Sequence, residues 1–371
     1  MRWILLGLAF LTATAATAAT PILHSNFDSG LGGWVKMGES GSLRVTRETA
    51  DVREGVPSLA LDYEVGQRKF AAAVLPVEPA AMAAMEQIHF WVKTDFPTSV
   101  VVTLSEKGGG NYAAMAWSPG SVWQEVRIAP RDFALSDRPN DPPDPDGRLD
   151  ADQVHGIGVA DLAQILGGAP RNPAMPFAVP DRSGKHTLLI AGFEVLGGIP
   201  ARSDNLSIDQ FDAPQLSWFS PGGAAFRIDN SREHAPGPAM EVDYTLAEHA
   251  IVYFARNLPP GIPPNITHIS FDIASEKPAQ FAFTLQEKGS GHGEGPRYNT
   301  VVEVKGKGKP DHRDLALSAF NLDQNGPADP GGALSIVKAK SLAIADISAA
   351  ANGDSGPNRF WISNLRLIVR D

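Results

Sequence analysis

The chain repeats itself, and this repetition limits the possible folds more than any single motif does. HSNFDSGLGGW (His24–Trp34) is echoed by IDQFDAPQLSW (Ile208–Trp218), and LALDYEV (Leu59–Val65) by MEVDYTL (Met240–Leu246). IHFWVKTDFPTSVVVTLSEKGG (Ile88–Gly109) runs parallel to ISFDIASEKPAQFAFTLQEKGS (Ile269–Ser290). VRIAPRDFAL pairs with RDLALSAFNL, HGIGVADL with KSLAIADI, and HTLLIAGFEVL with NRFWISNLRLIV. The blocks keep one order and one offset of about 180 residues, which chance similarity would not preserve. The reading is two copies of one domain, residues 19–198 and 206–371, joined near GGIPARSDN, a Gly/Pro/polar stretch suited to a linker.

The repeated blocks read as strands. VVVTLSE, FAFTLQE and LALDYEV are rich in β-branched and aromatic residues and alternate apolar with polar positions. Proline- and glycine-loaded breakers such as RPNDPPDPDG separate them, and 30 Pro with 36 Gly in 371 residues disfavour long helices. Only PAAMAAMEQ and ADLAQIL read as one or two helical turns. The expected fold class is therefore all-β: two tandem β-sandwiches of jelly-roll type.

Residues 1–18 read as a secretory signal peptide, with Arg2 before an apolar run and Ala16-Thr17-Ala18 as a small-residue cleavage zone. The mature protein is expected to be secreted or periplasmic in a bacterium, with no later segment long enough to insert in a membrane. Cysteine is absent, so neither disulfides nor a lipidated cysteine are possible. A net charge of −10 argues against binding nucleic acid, whose phosphates demand clustered Lys and Arg.

Strings that resemble catalytic motifs lose their force on inspection. GDSGP (Gly353–Pro357) has the look of a serine-protease nucleophile loop, yet the first copy has PDRSG at the same point, so it reads as a turn. GSGHGEG leads into a strand rather than a helix, which removes the amide cradle that a phosphate loop needs. DPPDPDGRLDADQ hints at a calcium loop, but Pro142 and Gln153 stand where ligands are required.

The hairpin TLSEKGGGNY (Thr103–Tyr112), repeated as TLQEKGSGHGEGPRY (Thr284–Tyr298), is the stronger lead. With Val102 and Leu104 facing the core, Thr103 and Ser105 face out, and Thr284 and Gln286 do so in the second copy. A polar sheet face edged by aromatics suits a sugar, whose C–H faces stack on rings and whose hydroxyls need short polar partners. The candidate ligand-binding set is Thr103, Ser105, Glu106, Lys107, Tyr112, Trp117, Thr284, Gln286, Glu287, Lys288 and Tyr298. Trp34 and Trp218 read as core, and no catalytic residue is assigned.

The ordered motifs resemble galactose-binding-like jelly rolls. They are Phe27-Asp28 with Trp34, Leu61-Asp62-Tyr63, the strand around Phe90, Trp123 to Ile128, Asp132-Phe133, and the closing strand around Phe193, with counterparts from Phe211-Asp212 and Trp218 onward. The resemblance is closest to family 11 carbohydrate-binding modules and to complex I intermediate-associated protein-like domains. It implies a non-catalytic module binding a polysaccharide or glycoconjugate, and a structural calcium held by Asp28 and Glu194. The second copy departs from it: Asn364 and Arg366 on its last strand do not suit a second calcium, and it lacks a counterpart of Trp123, so the first copy is the better expected binder. The alternatives are a glycan hydrolase or lyase using Glu106 or Glu287, and a protein-docking or assembly module.

Overall fold

The computed structural model describes residues 19–66, 69–136, 141–144, 146–166, 180–199, 206–221, 224–289, 294–329 and 331–370. The expected signal peptide and most of the expected linker lie outside the described residues. Among the described residues no helix is long and apolar enough to cross a membrane.

The first copy contributes β1 (Thr20–Ser25), β2 (Val35–Gly38), β3 (Ser42–Thr46), β4 (Ser58–Val65), β5 (Ala71–Pro76) and β6 (Gln87–Thr94). It continues with β7 (Thr98–Glu106), β8 (Asn111–Ser118), β9 (Gln124–Ile128), β10 (Ala134–Leu135), β11 (Val154–Asp161) and β12 (Gly184–Gly197). The second copy holds β13 (Ser207–Asp209), β14 (Ala225–Asp229), β15 (Ala239–Leu246), β16 (Val252–Asn257), β17 (His268–Ser275) and β18 (Ala279–Lys288). It closes with β19 (Glu294–Val304), β20 (Asp311–Ala316), β21 (Asn321–Leu322), β22 (Ala339–Asp346) and β23 (Gly356–Ile368). Short helices occur where the sequence allows them, at Pro79–Met82 and Ala163–Leu166, with a third at Ser348–Asn352.

Each copy is two antiparallel sheets packed face to face, as an all-β sandwich requires. In the first, one sheet runs β3-β4-β12-β6-β9 with β1 beside β12, and the other β10-β8-β7-β11-β5-β2. The second copy repeats this as β14-β15-β23-β17-β20 with β13 beside β23, and β16-β22-β18-β19-β21, which has no strand counterpart of β2 among the described residues. Even the register is copied: Leu104 pairs with Tyr112 as Leu285 pairs with Tyr298. The last strand of each copy bulges at matching points, where Gly192 and Asn364 both take positive φ.

The repeated blocks turn out to be the joints of this frame. Phe27 and Phe211 both adopt positive φ (62° and 55°), bury their rings, and turn the chain toward Trp34 and Trp218. Both indoles sit in their own cores, Trp34 donating to Ser25 Oγ and Trp218 to Asp209 Oδ2. The L-x-L-D-Y and A-D blocks meet across each sandwich: Tyr63 donates to Asp161 and Tyr244 to Asp346, all four buried. Burial raises both phenol pKa values and that of the Asp161 carboxyl.

The two sandwiches are joined through side chains as well as by the linker. Trp117, on β8 of the first copy, packs into the core of the second, its ring 4.6 Å from Phe226. Its backbone amide donates to Leu216 O, and Phe219 bridges β16 at Ala255, so the segment between them connects the facing sheet edges. Gln215 exchanges hydrogen bonds with the backbone of Arg127, and Asn257 Nδ2 donates to Ala113 O.

Candidate functional site

The expected binding residues divide into three groups. Thr103, Ser105, Thr284 and Gln286 point away from the cores, on the outer faces of the β7 and β18 sheets, as alternation required. Lys107 and Lys288 are exposed at the strand ends. The aromatics and the glutamates are elsewhere. Tyr112 and Tyr298 are 2% and 1% exposed, and Trp117 is 6% exposed within the neighbouring sandwich, so none presents a free ring face for stacking. The expectation of an aromatic platform is corrected by burial: each tyrosine pairs across its hairpin with an inward leucine, which turns the ring inward.

Glu106 and Glu287 serve as loop anchors in both copies. Glu106 Oε1 accepts the backbone N–H of Asp150, and Glu287 Oε1 that of Ser335, each at 2.5 Å and each at the start of a short helical turn. The neighbouring hydroxyls complete the device, Tyr112 donating to Asp144 Oδ2 and Tyr298 to Asp329 Oδ2. Burial, with repulsion from Asp144, Asp150 and Asp146, pushes the Glu106 carboxyl up to about 7; burial raises that of Glu287 too. The sequence signal was a Glu-Lys…Tyr motif kept in both copies, and what it marks is a hairpin tied to the loop beyond.

The calcium expected from Asp28 and Glu194 has no assembled site. Asp28 Oδ2 accepts from Asn26 Nδ2, while Glu194 meets His24 Nδ1 at 3.0 Å and His89 Nδ1 at 3.3 Å. Among the described residues no group of three His, Asp or Glu side chains is placed to hold a metal ion. Asp144 and Asp146 of the acidic loop are used internally, the first by Tyr112 and the second as acceptor for Arg148 N.

The outer faces of the two hairpin sheets differ in chemistry. In the first copy the face is apolar: Ala72, Val101 and Ala160 cluster with Phe70, Val74, Ala113 and Met115. In the second copy the register puts Asn257, Gln286, Arg297 and Asn299 where the first has Pro76, Ser105, Asn111 and Ala113. Small buried residues, Ala255, Ala343 and Ala345, form the floor between these longer side chains. Val301, 54% exposed, lies on the same face, as does Tyr253 on the edge strand β16. Two polar atoms here are buried and make no hydrogen bond: Asn299 Oδ1 and Arg297 Nε, the latter 3.5 Å from Asp323. A buried polar atom without a partner costs about 1–3 kcal/mol, and Asn299 Oδ1 is free to accept a hydrogen bond on this face.

Among solved structures, the family 11 carbohydrate-binding module of the cellulosomal cellulase Lic26A-Cel5E of Clostridium thermocellum matches at 25% identity. The match covers 44% of this chain and 94% of that one, with a TM-score of 0.36. The tandem of two family 22 modules from Paenibacillus barcinonensis Xyn10C matches at 14% identity over 97% of this chain and all of its own, with a TM-score of 0.32. A family 30 carbohydrate-binding module matches at 18% identity over 39% of this chain and 74% of its own, with a TM-score of 0.29. No family model matches the chain, and no curated protein does. The assignment of two tandem sandwiches stands on the strand pairing itself.

Proposed function

We propose that this is an exported, non-catalytic protein that binds carbohydrate through the outer face of the β16-β22-β18-β19 sheet of its second sandwich. The observation that carries the reading is Asn299 Oδ1, buried without a hydrogen bond, beside the Arg297 guanidinium on a sheet face floored by alanines. A sugar hydroxyl is donor and acceptor at once. Amide and guanidinium side chains in a row, with Thr284 and Ser341 between them, offer the complementary partners. Small floor residues let a ring approach the sheet, and Val301 offers apolar contact to its C–H face.

The enzymatic alternative relied on Glu106 and Glu287. Both carboxyls lie at loop bases, 7% and 3% exposed, engaged with backbone amides. The docking alternative draws on the apolar face of the first copy, where Val35 and Met37 are half exposed beside Val74. Affinity electrophoresis through gels containing a panel of plant, algal and microbial polysaccharides separates these readings. Retardation without release of reducing ends or unsaturated products, lost in an Asn299→Ala/Gln286→Ala variant, is the expected result. Absence of retardation on every polymer overturns the proposal. Export rests on residues 1–18, and is tested by N-terminal sequencing of protein from the medium or periplasm, with chains beginning at Ala19 expected.

A further inference from the structure

The polar face of the second sandwich does not end at the sheet. Along β18 the outward positions run Thr284, Gln286, Lys288; beyond Ser341 the chain of β22 leads to Lys340, and beyond Asn257 that of β16 leads to Pro259. Lys288, Lys340 and Pro259 line a cleft of about 580 Å³ between the two sandwiches, whose opposite wall includes Pro142, Pro143, Asp144, Gly147 and Arg148 of the first copy. The seam between domains is where ligand pockets concentrate, and this volume is in the range that holds one or two sugar units.

The chemistry of the cleft differs from that of the face. Among the described residues, four cations line it, Arg131, Arg148, Lys288 and Lys340, against the carboxylate of Asp144, which already accepts from Tyr112. Lys288 reaches across the seam: a methyl group placed on Gly147 would lie 3.4 Å from its Nζ. Arg148 is the next residue along that wall, and neither side chain faces an ion-pair partner among the described residues. Pro142, Pro143, Pro259 and Pro260 supply apolar walls, which exclude water and strengthen a charge contact made between them.

We propose that the ligand carries an anionic sugar unit, a uronate carboxylate or a sulfate ester, held in this cleft by Lys288 and Arg148 while neutral units lie along Gln286, Asn299 and Arg297. The inference rests on the carbohydrate reading above and names its substrate class. The net charge of −10 does not oppose it, because at physiological salt charges farther than about 8 Å are screened while a contact pair is not. One local subsite, rather than a basic stripe, suits a glycan with charged units and not a polyphosphate.

The test is affinity electrophoresis of the full chain on four polymers: polygalacturonate, its carboxyl-reduced neutral product, a sulfated galactan and the matching desulfated galactan. The charged member of at least one pair is expected to bind at least tenfold tighter than its neutral partner. Lys288→Ala/Arg148→Ala should erase that difference, and 0.5 M NaCl should weaken the charged member selectively. Preference for the carboxylate polymer assigns a uronate subsite, and preference for the sulfated one a sulfate subsite. Equal or better binding of the neutral members overturns the inference and leaves the carbohydrate reading standing. Binding to none of the four, when other neutral glycans do retard the protein, also overturns it, whereas no retardation on any polysaccharide overturns the carbohydrate reading itself.

Discussion

Trp117→Ala removes a side chain that belongs to one sandwich by sequence and to the other by packing. The ring is 6% exposed and sits with Phe226 among the core residues of the second copy. A tryptophan buries up to about 250 Å², which at about 25 cal/mol per Å² is an upper bound near 6 kcal/mol. Residual compactness of the denatured chain removes about a quarter of that, within the usual range of about 10–40%. The indole Nε1–H is buried with no acceptor, so its removal also relieves a penalty of about 1–3 kcal/mol. The net expected loss is about 3 kcal/mol, at the low end of the range of about 3–5 kcal/mol found for Trp→Ala in cores. For a sandwich of this size that lowers the melting temperature by about 6–12 °C. Differential scanning calorimetry should show the intact protein melting with its two sandwiches coupled, and the variant with the second melting earlier and apart. A loss below about 1 kcal/mol with an unchanged profile would refute the idea that Trp117 completes the second core.

Three other outcomes follow from the geometry. Glu106, with a carboxyl pushed from about 4.5 to about 7, prefers to be protonated in the folded state, so its contribution is full below about pH 4.5 and is lost as pH rises through 7. Glu106→Gln should therefore flatten the fall in stability between those pH values and gain on the order of 1–3 kcal/mol at pH 8, measured by urea unfolding across the pH range. Asp346→Ala leaves the buried Tyr244 hydroxyl and the Ser348 amide without their acceptor, and should cost about 2–4 kcal/mol by the same measurement. Tyr298→Phe frees the loop at Asp329 and should raise amide hydrogen exchange there more than it lowers global stability.

The repeat made the frame legible in the sequence: a pattern kept in both copies must serve both, and what both copies share is a fold. Trp34 and Trp218, Tyr63 and Tyr244, Glu106 and Glu287 all proved to be joints, the last pair against an expectation that they touch ligand. The proposed site was harder to read for the same reason. Asn257 and Asn299 have no polar twin, their matching positions being Pro76 and Ala113, and Arg297 is matched by the uncharged Asn111, so a search for shared residues passed over them. Thr284 and Gln286 face outward as expected, because strand alternation alone decides which way they point. The burial of Tyr112 and Tyr298 follows from the same rule, since each pairs with an inward leucine. Trp117 sits at an outward position, and its burial depends on how the second sandwich docks, which no local pattern encodes.

The most direct test of the account is the matched pair of alanine variants on the two hairpin faces, Asn299→Ala/Gln286→Ala in the second copy and Thr103→Ala/Ser105→Ala in the first. Each is measured by isothermal titration with the oligosaccharide of the best-retarding polymer. The account predicts at least a tenfold loss of affinity in the second-copy variant and a change within twofold in the first, with both variants folded by circular dichroism. The reverse pattern, or unaltered affinity in both, would contradict the assignment of the binding face to the second sandwich.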